Sequence, residues 1–128
     1  MQSIMRYFPA PWPSVILLLV VLYLTLTPMP LPPFKPIFSR TDLIVHFIMF
    51  GTLSAVFAYD TRRKTNRPLS AMTAVVIIVS VIALGGIIEL LQGTTLINRS
   101  CDLYDFIVNS IGATTIGTAS YFINRRNL

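Results

Sequence analysis

At 128 residues, with 54% hydrophobic side chains, 12% charged ones and a mean hydropathy of +0.71, the chain carries about half the charge of a soluble globular domain. Its formal net charge of +5 comes from bases in short segments between apolar runs, where topology determinants sit, and this argues against nucleic acid as a partner. The single cysteine, Cys101, excludes an intramolecular disulfide.

Charge is absent between Arg6 and Lys35 and again between Arg67 and Glu89. About 20 predominantly apolar residues cross a bilayer, so each interval can supply a span. The first predicted helix covers residues 12–26, with Pro11 and Pro13 at its first turn, where a missing N–H costs little. Thr27-Pro28-Met29-Pro30 offers no small-x-small cleavage site, so this is read as an uncleaved helix. Pro28, Pro30, Pro32, Pro33 and Pro36 then forbid regular helix and make residues 27–36 a connector.

The second predicted helix covers 41–59 and is apolar except for His46. A basic loop follows from Asp60 to Pro68. The third covers 69–91. Its Val and Ile would suit a strand in water, but in lipid the backbone must satisfy its own hydrogen bonds and a helix is required. Gly85-Gly86 allows a close neighbour or a bend. After a loop at 93–100, the fourth helix covers 102–123, with small residues on two lines: Ser110, Thr114 and Thr118, then Ala113 and Gly117. Both favour tight helix packing. The expected fold is one all-α domain over residues 1–128, a bundle of four transmembrane helices.

Alternating the connections divides the bases. Arg6, Arg62, Arg63, Lys64, Arg67, Arg125 and Arg126 fall on one side, and Lys35, Arg40 and Arg99 on the other. The positive-inside rule puts the first group in the cytoplasm and predicts an N-in, C-in topology.

Four of the five acidic residues then lie toward the outer side. Asp42 opens the second helix with His46 at i+4, and Glu89 closes the third with Gln92 at i+3. Asp102, Asp105 and Asn109 share a face of the fourth, and Arg99 stands in the adjoining loop. Three helices thus deliver polar groups to one depth, and intramembrane ionisable groups are functional candidates. Asp42 and Asp102 serve equally well as N-caps, and a lone histidine is usually a packing residue. Glu89 is the leading candidate, because the dipole opposes a carboxylate at a helix C-terminus. Such a donor set can take a divalent metal or share protons. The spacing matches no established metal signature and no nucleophile motif.

In this order, Asp42-x-x-x-His46-x-x-x-Phe50, Glu89-x-x-Gln92 and Arg99-x-x-Asp102-x-x-Asp105-x-x-x-Asn109-x-x-Gly112, the chain resembles the VanZ-like family of bacterial integral membrane proteins. That family is named for a protein associated with teicoplanin resistance. The resemblance implies a multi-pass protein of the bacterial cytoplasmic membrane that faces the cell envelope and acts on a lipid or lipid-linked component. In a catalytic reading Glu89, Asp105 and His46 do acid/base or metal chemistry. Arg99, Gln92, Asp102, Asn109 and Asp42 then hold the substrate, the guanidinium meeting an anionic headgroup. In the alternative readings the site binds a lipid or an antibiotic without catalysis, or the polar cluster only registers the helices. Transport fits less well, since the inner halves of the spans read as apolar, and a homo-oligomer is compatible with so short a chain.

Overall fold

The computed structural model describes residues 12–26, 41–92 and 103–125, with the side chains of residues 41 and 42 outside that set. Among the described residues, four antiparallel helices follow one another: α1 (Trp12–Leu26), α2 (Thr41–Thr65), α3 (Ala71–Gln92) and α4 (Leu103–Asn124). The last three are long and apolar enough to cross a membrane, while α1 has 15 residues, about 22 Å at helical rise.

Helix α2 runs past its expected end. Residues 60–65, read from the sequence as loop, are helical. Arg62, Arg63 and Lys64 fill the last turn, where positive charge complements the helix dipole. Thr61 and Thr65 return their hydroxyls to the carbonyls of Phe57 and Thr61. Asn66 then adopts a left-handed conformation (φ 54°), and its N–H donates to the Arg62 carbonyl at 2.9 Å, a capping geometry that ends helices. Ser70 caps α3, its Oγ accepting from the Thr73 N–H at 3.1 Å.

The buried core is thin: Val21 from α1, Phe50 and Leu53 from α2, Val81 and Ile88 from α3, and Ala113 from α4. Large aliphatics face outward instead, among them Ile48, Met72, Val79, Leu90 and Ile111. A belt of that kind is a liability in water and the ordinary surface of a helix in hydrocarbon.

The tightest seam lies between α2 and α4. A Cβ on Gly112 would stand 2.4 Å from the Phe47 carbonyl oxygen, and one on Gly51 would stand 3.1 Å from the Gly112 carbonyl oxygen. Backbone therefore meets backbone, which only small residues permit. Of the two small-residue lines, Ala113 and Gly117 are buried, Gly117 between Ser54 of α2 and Ile78 of α3. Thr114 and Thr118 are exposed, and Ser110 bonds back to the Phe106 carbonyl. That line faces away from α2, which alone decides between two lines that look alike in sequence. Helix α3 is continuous through Gly85-Gly86, so the pair serves close approach: a Cβ on Gly86 would meet the Phe106 ring at 3.1 Å.

Candidate functional site

The polar residues predicted on three separate helices do meet. His46 sits in the first turns of α2, Glu89 in the last turn of α3, and Asp105 and Asn109 in the first turns of α4. Antiparallel packing brings these ends to one level. His46, Glu89 and Asp105 each direct one donor atom to a common point, with all three atoms within 4.8 Å of one another. Glu89 is 3% exposed and Asn109 1%.

The imidazole lies between two side chains of α4. Its Nδ1 lies 3.0 Å from Asn109 Oδ1, and because a carbonyl oxygen only accepts, Nδ1–H is the donor. Its Nε2 lies 3.7 Å from Asp105 Oδ2. The Phe50 ring, one turn further along α2, lies nearly parallel to it, with centroids 6.4 Å apart. Gly85 leaves room for this arrangement, since a Cβ there would already touch both Asn109 and Phe50 at 3.4 Å. Asn109 Nδ2 is buried without a hydrogen-bond partner among the described residues.

Gln92 is spoken for differently. Its Nε2 donates to the Thr25 carbonyl at 2.6 Å, tying the end of α3 to the end of α1, where carbonyls lack intrahelical partners. Helix α1 thus contributes buried polar residues of its own, Ser14 and Thr25. Arg99, Asp102 and the side chain of Asp42 lie outside the described residues.

A second polar locus, at the opposite end of the bundle, escapes sequence reasoning. Asp60 is 3% exposed. Its Oδ2 accepts from Ser14 N–H at 2.9 Å and from Ser14 Oγ–H at 2.6 Å, and its Oδ1 lies 3.6 Å from Arg63 Nη2. The carboxylate thus sits against the first turn of α1, where the dipole favours it. A cleft of about 380 Å³ opens beside it, lined by α1, α2 and α3 and including Lys64 and Ser80. The halves of the helices remote from His46 are not wholly apolar, whereas the sequence reading takes them to be. The signal was available in the matched depth of Ser14 and Asp60 on antiparallel neighbours.

Three side chains with lone pairs converging at low exposure can accept a proton, hold a cation or position a polar ligand. Comparison with known proteins finds no matching family model, no matching curated protein and no matching solved structure.

Proposed function

We propose that this chain is a four-span protein of the bacterial cytoplasmic membrane, N-in and C-in. In this reading its His46–Glu89–Asp105 cluster opens toward the outer leaflet and binds or acts on a lipid or lipid-linked envelope component. The observation that carries the reading is the convergence of one imidazole and two carboxylates from three helices, His46 and Glu89 buried and Asp105 partly so, inside a bundle whose outward surface is aliphatic. Ionisable groups are expensive in such surroundings and are retained mainly at functional sites. The orientation follows from the bases: Arg62, Arg63, Lys64, Arg67 and Arg125 gather at the end remote from the cluster, the cytoplasmic end under the positive-inside rule. The envelope role, with its link to teicoplanin, rests on the ordered VanZ-like motif from Asp42 to Gly112.

One observation favours a second reading. His46 of α2 bonds Asn109 of α4 at 3.0 Å and faces Asp105 of the same helix at 3.7 Å, and a purely registering network would use such a link. The two readings part experimentally. Expressed in a teicoplanin-sensitive Gram-positive host, the wild-type chain is expected to raise the inhibitory concentration of teicoplanin. Glu89→Gln and Asp105→Asn, at matched membrane levels, are expected to return it to that of the empty host. Full protection by both variants would remove the cluster from the function. Loss of the folded protein from the membrane in both would favour registration.

A further inference from the structure

We infer that His46, Glu89 and Asp105 form a binding site for one divalent transition-metal ion, Zn²⁺ or Mn²⁺, with Asn109 as its positioning residue. The inference goes beyond the proposed function and holds whatever molecule that site serves.

The argument starts from the imidazole. Asn109 Oδ1, 3.0 Å from Nδ1, accepts the Nδ1 proton, and the neutral ring then presents the Nε2 lone pair on its other edge. That edge faces Asp105 Oδ2 at 3.7 Å. This is too long for a hydrogen bond, and a charged N–H against a carboxylate closes to about 2.8 Å. It is instead close to the spacing of two ligands on one ion, since donors about 2.1 Å from a tetrahedral centre stand about 3.4 Å apart. Glu89 brings the third donor, and the set spans no more than 4.8 Å. A small inward movement of side chains closes it on a cation.

Burial agrees with geometry: His46 is 9% exposed and Glu89 3%, and a bound cation lowers the cost of holding carboxylates in a low-dielectric interior. One imidazole with two carboxylates and no thiolate selects Zn²⁺ or Mn²⁺ over the soft ions. Asn109 supplies the outer partner that ligating histidines usually have, fixing tautomer and ring direction. Three protein ligands leave a further coordination position, as in metal sites that also take water or a substrate oxygen.

His46 is the chain's only histidine, which makes a direct test available without any variant. The full chain, purified in detergent with a histidine-free tag and stripped with chelator, is titrated with ZnCl₂ or MnCl₂. Bound metal is counted by elemental analysis. We expect one ion per chain, a metal-dependent rise in unfolding temperature through mass action, and nitrogen hyperfine coupling from one imidazole in the spin-echo spectrum of bound Mn²⁺. Asn109→Leu, similar in size but without an acceptor, is expected to weaken binding about 10- to 100-fold. Glu89→Gln and Asp105→Asn, which remove charged ligands, should weaken it at least as much. Failure of the wild-type protein to bind stoichiometrically overturns the inference, as does bound Mn²⁺ without imidazole coupling. Neither result touches the teicoplanin assay, so the two proposals fail separately.

Discussion

Replacing Gly112 by alanine is expected to destabilise the protein more than any other glycine-to-alanine change in the bundle and to dismantle the candidate site with it. The added Cβ would lie 2.4 Å from the Phe47 carbonyl oxygen and 3.1 Å from its carbonyl carbon and Cα. These atoms belong to the α2 backbone, so no rotamer relieves the overlap. Reaching ordinary contact, near 3.4 Å, means moving α4 bodily away from α2. Overpacking of this kind costs about 1–3 kcal/mol, and a helix pair in lipid relies on close packing where the hydrophobic effect gives little. The site shares the seam. His46 precedes Phe47 in α2 and Asn109 lies one turn before Gly112 in α4, so the 3.0 Å bond between them opens with the helices. Gly117→Ala is the control. Its Cβ meets Ile78 Cγ1 at 2.7 Å and Cδ1 at 3.1 Å, and a side chain can shift where a backbone carbonyl cannot. Unfolding of the purified variants in mixed micelles should therefore rank Gly112→Ala well below Gly117→Ala, with wild type above both. Equal stability of Gly112→Ala and wild type would falsify the close-packed seam.

What the sequence makes legible here is whatever depends on one helix at a time. Charge-free intervals mark the helices, and the ends of α1 agree with the expectation, while those of α3 and α4 agree to within two residues. Counting His46, Glu89 and Asp105 from their helix ends places them at one depth, which suffices to predict that they meet. What is illegible depends on facing. Nothing in the α4 sequence distinguishes the Ala113–Gly117 line from the Thr114–Thr118 line; only the position of α2 does. Asp60 is misread for a related reason. Standing beside Arg62, Arg63 and Lys64, it reads as one more member of a solvated charged loop. Helix periodicity carried through Thr65 turns Asp60 inward to Ser14 and sets Arg63 one turn on, 3.6 Å from the other Asp60 carboxylate oxygen. Gln92, grouped with Glu89 as a site residue by its i+3 spacing, points its amide nitrogen at α1. An i+3 step rotates far enough to serve a different neighbour.

That inward turn of Asp60 gives the second large expected effect: Asp60→Ala should loosen α1 while leaving the distant cluster in working order. Helix α1 is pinned by polar bonds at both ends, Ser14 to Asp60 at one and Thr25 to Gln92 at the other. Removing the carboxylate leaves the Ser14 N–H without its acceptor in a buried setting, leaves the hydroxyl its longer 3.4 Å bond to the Val56 carbonyl, and removes the ion pair with Arg63. A hydrogen bond to a charged group contributes about 1.5–3 kcal/mol, and breaking a buried pair from one side costs about 3–5 kcal/mol. Arg63, 21% exposed at its side chain, can turn its guanidinium toward the interface, so the expected loss is about 3 kcal/mol, at the lower end. Asp60→Asn keeps an acceptor but not the charge, and should lose about half as much. Ser14→Ala removes the 2.6 Å hydroxyl bond to Asp60 and the longer 3.4 Å one to the Val56 carbonyl, and should lose about 1.5 kcal/mol. The double variant should lose little more than Asp60→Ala alone, because the serine hydroxyl acts through that carboxylate. Unfolding measured for all four proteins completes the cycle, and full additivity of the two changes would contradict the geometry. The Glu89-dependent readout should survive in Asp60→Asn, since the polar locus it weakens lies at the opposite end of the bundle from His46.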